Sequence, residues 1–144
     1  MKKIFLIPAV LLIFVICGFM VFPGAEPWTE AQLIKPKVLA QKLSEGNRDI
    51  YIYSIGPSGL IKNAVLIGET KDNANLQKLK ERVSELPKNA HIVIYCGCCP
   101  FKNCPNIRPA FSLLNEMGFK HHKLLDLPQN LKVDWMDKGY PMKE

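Results

Sequence analysis

His91-Ile92-Val93-Ile94-Tyr95-Cys96-Gly97-Cys98-Cys99-Pro100-Phe101-Lys102-Asn103-Cys104-Pro105-Asn106-Ile107-Arg108-Pro109 runs from a β-branched and aromatic segment into a loop with four of the chain's five cysteines. Ile92 to Tyr95 is the most continuous apolar run and reads as a buried strand. Pro109 to Met117 reads as a helix closed by Gly118. The thiols therefore occupy a strand-to-helix loop. Such a loop aims backbone N–H groups and a helix N-terminus at one point, which stabilises anions and lowers a thiol pKa.

Outward from this segment the same alternation recurs. Pro36 to Leu43 predicts a helix with proline at its first position, ended by Gly46. Asp49 to Ile55 predicts a strand punctuated by Gly56-Pro57-Ser58-Gly59, and Ala64 to Ile67 a shorter one that stops at Gly68. Leu76, Leu79, Val83 and Leu86 recur at helical spacing behind Asn73 or Asn75 as candidate caps, and Pro87 ends the pattern. Lys123 to Leu125 is the expected last strand. Short apolar strands alternating with helices predict an α/β fold with a central, mostly parallel sheet of four to five short strands.

The 144 residues open on Met1-Lys2-Lys3, followed by an uncharged, largely apolar stretch from Ile4 to Ala25. That length approaches the ~20 residues that span a bilayer. Residues 1–25 are read as an uncleaved anchor with the lysines inside, residues 26–33 as a linker, and residues 34–144 as one domain outside the cytoplasm, periplasmic in a Gram-negative cell. The alternatives are secretion after cleavage near Pro23-Gly24-Ala25, or a lipid anchor on Cys17. The net charge of +6 falls to +4 without Lys2 and Lys3, and the remaining lysines are scattered. With three arginines and no basic stripe, nucleic acid is not an expected partner. No P-loop, GxGxxG, HExxH or GxSxG motif is present.

Three segments, in order, resemble the rhodanese-like domain family. Ile92-Val93-Ile94-Tyr95-Cys96 with the later Arg108 resembles its active-site element. Leu60 to Ile67 is similar to the family's GHI-x-x-A-x-x-I segment, and Trp135-Met136-Asp137-Lys138-Gly139-Tyr140-Pro141 to its terminal W-x-x-x-G-x-P. The resemblance spans roughly residues 34 to 142. It implies a three-layer fold and a sulfurtransferase reaction with thiosulfate or polysulfide as donor. Cys96 would then be the nucleophile that carries a covalent persulfide, with no other cofactor, and Arg108 would add positive charge for an oxyanion substrate. The departures are local. Cys96 and Arg108 are twelve positions apart where relatives have five, Tyr53-Ser54-Ile55 replaces the usual Asp-x-Arg, and Gly59-Leu60-Ile61 lacks the histidine.

The inserted thiols extend the chemistry that this loop could support. Cys98, Cys99 or Cys104 could resolve a persulfidated or oxidised Cys96 by forming a disulfide, with a small sulfur compound or a thiol acceptor protein as partner. An oxidising compartment could instead leave a permanent loop disulfide, Cys96 or Cys98 with Cys104. Cys96, Cys98, Cys99 and Cys104 could also hold Cu(I) or Zn(II), although C-x-C-C-x4-C is not the paired C-x2-C spacing of zinc knuckles. A catalytically silent, partner-binding module is the remaining class. His121 and His122 face opposite ways if they lie on a strand, and both are read as surface residues at a strand start. Trp135 is expected to pack a terminal turn onto the sheet. Phe101 suits either packing or a cover over the site.

Overall fold

The computed structural model describes residues 25–144; the anchor, signal and Cys17 readings fall on residues outside that range. Among the described residues no helix is long and apolar enough to cross a membrane. Five strands of the described residues form one sheet: β1 Leu33–Ile34, β2 Ile50–Ser54, β3 Ala64–Leu66, β4 His91–Tyr95 and β5 His121–Leu125. Their spatial order is β1-β5-β4-β2-β3, and every neighbouring pair is parallel. The strand that leads into the cysteine loop is thus the middle one.

Among the described residues four α-helices cover the sheet: α1 Pro36–Ser44, α2 Asn73–Ser84, α3 Ile107–Glu116 and the single turn α4 Leu131–Asp134. Alternation along β4 assigns the two faces. Ile92, Ile94 and Cys96 join Leu79 and Val83 of α2 and Ala110, Phe111 and Leu114 of α3 in one core. Val93 and Tyr95 join Leu39, Ala40 and Leu43 of α1, with Leu131 and Trp135, in the other. A sheet buried on both faces requires strands without polar alternation, which is how Ile92 to Tyr95 reads.

Several boundaries move, each for a local reason. Helix α3 begins at Ile107, two residues before Pro109, because a helix's first-turn N–H groups have no partner within the helix and proline loses nothing there. Helix α2 takes Asp72 as its N-cap instead of Asn73 or Asn75, and Asn75 turns its amide to the Glu69 carbonyl. Residues of the 26–33 stretch pack on the folded unit: Trp28 is buried against Phe101 and Phe111, and Leu33, with Ile34 of the domain, extends the sheet beside β5. Two residues of strand carry too little pattern to be read from sequence.

Trp135 is fully buried, and its indole N–H donates to the Pro141 carbonyl at 3.1 Å, fastening the chain's end beneath α1 and the sheet. His122 departs from its reading as a surface residue. It is buried against Phe111, and Nε2 lies 2.8 Å from Asn115 Oδ1. His121 stays exposed and stacks on His91 of the neighbouring strand. Their opposite directions follow from the strand's two-residue period.

Candidate functional site: a thiol cluster at the end of the central strand

Cys96 follows the last residue of β4, at the C-terminal edge of a parallel sheet, where open α/β folds place their ligands. Its position is fixed on three sides. The Ser58 hydroxyl donates to the Cys96 carbonyl. Tyr95 sends its hydroxyl to the Gly59 carbonyl and accepts from the Ile61 N–H, both at 3.0 Å, so the loop after β2 is tied across the site. Gly56 lies so close that a Cβ there would overlap Cys96 Sγ and stand 3.0 Å from the Cys96 carbonyl oxygen.

Gly97 then turns the chain back with φ +81°, a conformation open to glycine and strained for other residues. A Cβ at this position would meet Ser58 Oγ at 2.5 Å and Leu131 Cβ at 2.9 Å. The Leu131 N–H donates to the Gly97 carbonyl at 2.9 Å, so the turn is also held from α4. Its result is that Cys98 folds back over its neighbour, with the two sulfurs 3.2 Å apart.

Cys96, Cys98 and Cys104 bring three sulfurs within 4.8 Å of one another. Cys99 is outside this group, with its sulfur 3.3 Å from Cys98. All four are free thiols. A soft cation would therefore meet three sulfurs here, not the four that the spacing alone allowed. Cys96 and Cys104 are buried, Cys98 is exposed and Cys99 lies between these extremes.

A residue absent from the sequence reading completes the site. Asn106 is 1% exposed and stands at the N-cap of α3, and its Nδ2 donates to Cys96 Sγ at 3.4 Å. Its Oδ1 accepts from the Lys71 N–H at 3.0 Å, and its carbonyl accepts from the Thr70 hydroxyl at 2.6 Å. With both ends engaged, the amide can aim only its N–H group at the sulfur. Asparagine before a helix is a recognisable cap signal, but nothing in the sequence indicates that this cap turns inward to a thiol.

These neighbours set the order in which the thiols ionise. The Cys104 thiol, then the Asn106 amide and the N–H and thiol of Cys98, favour the Cys96 thiolate over the opposing effect of burial and lower its pKa to about 5. Burial, then the adjacent Cys96 and Cys99 sulfurs, pushes Cys98 up to about 12. Cys104 is also raised, by its bond to Cys96 first and by burial second. Cys96 is thus the sulfur its surroundings ionise most readily, and Cys98 and Cys104 are the two held toward the protonated form.

No family model and no curated protein matches the sequence. Solved structures do. A rhodanese-like domain from Anabaena superposes with a TM-score of 0.56 at 22% identity, over 78% of this chain and 78% of its own. A Bacillus halodurans protein gives 0.57 at 18% identity over 76% and 74%, and a Lactobacillus plantarum protein 0.57 at 15% over 79% and 89%. The chain has the rhodanese-like fold. Within the rhodanese-like fold, the five-stranded parallel sheet carries Cys96 at the end of its central strand, as the resemblance implied.

The other expected site residues have distinct places in this fold. Cys98 and Cys104 converge on Cys96, whereas Arg108 is exposed at the second position of α3. Arg108 Nη2 donates to Glu26 Oε1 at 2.7 Å and to the Lys102 carbonyl at 2.9 Å, and its guanidinium lies 5.6 Å from the Trp28 ring centre. None of these bonds reaches a sulfur. Phe101 is buried against Trp28, and its N–H donates to the Leu127 carbonyl, so it anchors the inserted loop to the body.

Proposed function

We propose that this rhodanese-like domain accepts sulfane sulfur on Cys96 and passes it on by persulfide or thiol-disulfide chemistry. The observation that carries this reading is the stabilised Cys96 sulfur, which receives the Asn106 amide at 3.4 Å beneath the Cys98 and Cys104 thiols. A thiolate, not a thiol, is the nucleophile, and these donors keep it ionised while the fold holds it still. With thiosulfate, the Cys96 thiolate attacks the outer sulfur, the sulfur–sulfur bond of the donor breaks, and sulfite leaves with the bonding pair. Cys96 is left as a persulfide. Arg108, at the rim of the loop, would attract the oxyanion in competition with Glu26.

The domain would act outside the cytoplasm, tethered by the apolar Ile4 to Ala25 stretch that follows Lys2 and Lys3. Reaction of Cys98 in intact, reduced cells with a membrane-impermeant maleimide tests this placement. Labelling only after lysis would refute it.

The expected result with reduced protein and thiosulfate is one sulfite released per chain in a single turnover, and loss of this release in Cys96→Ser. Release that survives the substitution, or sulfur mapped to Cys104, would overturn the assignment. Capture of a soft cation by the three clustered sulfurs is the competing reading, supported by their lying within 4.8 Å of one another. Metal analysis of protein purified from its own compartment, alongside a free-thiol count, separates the two.

A further inference from the structure

We propose that Cys98 is the resolving thiol of this site, discharging a Cys96 persulfide as hydrosulfide through an intramolecular Cys96–Cys98 disulfide that an external dithiol then reduces. The inference rests on the reading of Cys96 as sulfur acceptor, and it divides labour among sulfurs that the sequence leaves equivalent.

Proximity selects the pair first. Cys96 and Cys98 sulfurs stand 3.2 Å apart across the clamped Gly97 turn, so bond formation needs little movement of the chain. Cys99 also has a near neighbour, 3.3 Å away in Cys98, but adjacent residues are a poor disulfide pair. Their Cα atoms are held about 3.8 Å apart by one trans peptide, below the roughly 4.4 to 6.8 Å that disulfides occupy. Cys96 and Cys98 are separated by two peptides and escape this limit.

Accessibility then separates Cys98 from Cys104. A disulfide is reopened by a thiolate that attacks one of its sulfurs, so at least one sulfur must be reachable. Cys96 and Cys104 are both buried, and a bond between them would close the site to any protein reductant. A Cys96–Cys98 bond would present the exposed Cys98 sulfur to the incoming thiolate. The group then expelled is the Cys96 thiolate, the sulfur its neighbours hold most easily as an anion, and low-pKa thiols leave fastest. Cys104, buried beside Cys96, is left as a positioning residue that holds a proton toward the thiolate.

The steps balance. The outer sulfur of the Cys96 persulfide, as its anion, takes the Cys98 proton; the Cys98 thiolate so formed attacks Cys96 Sγ, the bond from Cys96 Sγ to the transferred sulfur breaks, and that sulfur leaves with the bonding pair and the proton as hydrosulfide. In this step the transferred sulfur is reduced by one electron and the Cys98 sulfur is oxidised by one; the Cys96 sulfur gave up its one electron earlier, when the persulfide formed and sulfite left. An external dithiol returns both electrons and is itself oxidised to a disulfide.

The test uses the full chain, reduced and freed of reductant under anaerobic conditions, with thiosulfate as donor. Sulfite reports loading of Cys96, and hydrosulfide reports resolution. Wild type is expected to release one of each per chain and then stop, with a Cys96–Cys98 peptide found by mass spectrometry and two hydrogens lost from the intact mass. Cys98→Ser is expected to release sulfite, lose hydrosulfide and retain the mass of one extra sulfur. Cys104→Ser is expected to slow sulfite release, because Cys104 helps to hold the Cys96 thiolate, yet to yield one hydrosulfide for each sulfite and the same Cys96–Cys98 peptide. Hydrosulfide release undiminished in Cys98→Ser, or a Cys96–Cys104 peptide in wild type, overturns the proposal while leaving sulfur acceptance intact. Absence of sulfite from every form overturns both.

Discussion

Removing the amide that faces Cys96 is expected to move that thiol's ionisation by a predictable amount. Asn106 donates to Cys96 Sγ from a buried position, and hydrogen bonds to charged groups are worth about 1.5 to 3 kcal/mol. One pH unit corresponds to about 1.36 kcal/mol, so Asn106→Ala should raise the Cys96 pKa from about 5 by roughly one to two units. At pH 7.5 most of the sulfur would still be ionised and transfer would change little. At pH 5.5 the thiolate fraction should fall by roughly threefold to twenty-five-fold. The readout is the ultraviolet absorbance of the thiolate against pH, taken as the difference from Cys96→Ser, together with single-turnover sulfite release at both pH values. Asn106→Ala also strips the Lys71 N–H of its acceptor and should destabilise the fold by about 1 to 3 kcal/mol. Cys104→Ala, which removes the leading stabilising neighbour without touching Lys71, should move the midpoint in the same direction. Midpoints that stay near 5 in both variants would refute the argument that these donors hold the thiolate.

Other consequences are equally open to measurement. Cys96 is more acidic folded than a free thiol at ~8.5, so the unfolded chain binds more protons between about pH 5 and that value. Through Cys96, stability should therefore rise with pH across this window and be lost as pH falls toward about 5; urea unfolding should give a shallower pH slope for Cys96→Ser. His122 is held below its ordinary pKa by burial, so its contribution is present above ~6.5 and lost on acidification. A His122→Gln variant that keeps the full acid sensitivity of wild type would contradict this. Gly56→Ala should fold yet lose sulfite release, because the new methyl displaces Cys96 Sγ; unchanged release at wild-type stability would contradict the packing. Trp28→Ala should destabilise the domain by about 3 to 5 kcal/mol in denaturant unfolding, the range for emptying a buried aromatic site. A loss within error of zero would return residues 26–33 to the status of a linker.

Much of the fold is legible in the chain because its elements carry strong local patterns. Ile92 to Tyr95 has no polar alternation and had to be buried on both faces, and Leu79 and Val83, four residues apart, share a core on one helix face. The weak points were elements defined by what they touch. Leu33 and Ile34 make a strand because β5 offers them an edge, and Trp28 is core because Phe101 and Phe111 leave room for an indole. His122 looked like a surface residue because the sequence carries no record of Asn115 across the turn.

The site divides along the same line. From the sequence alone it follows that a thiol cluster sits between a buried strand and a helix, and that Cys96, next after the strand, has the most constrained position. Residue order alone could not rank Cys98, Cys99 and Cys104, nor show that Arg108 turns to Glu26 while Asn106 turns to the sulfur. Those outcomes depend on the φ of Gly97, on the loop after β2 drawn across by Tyr95, and on the α3 N-terminus arriving beneath β4. Each is a long-range contact. Sulfur ionisation is set by neighbours a few ångströms away, and only folding determines which residues those neighbours are.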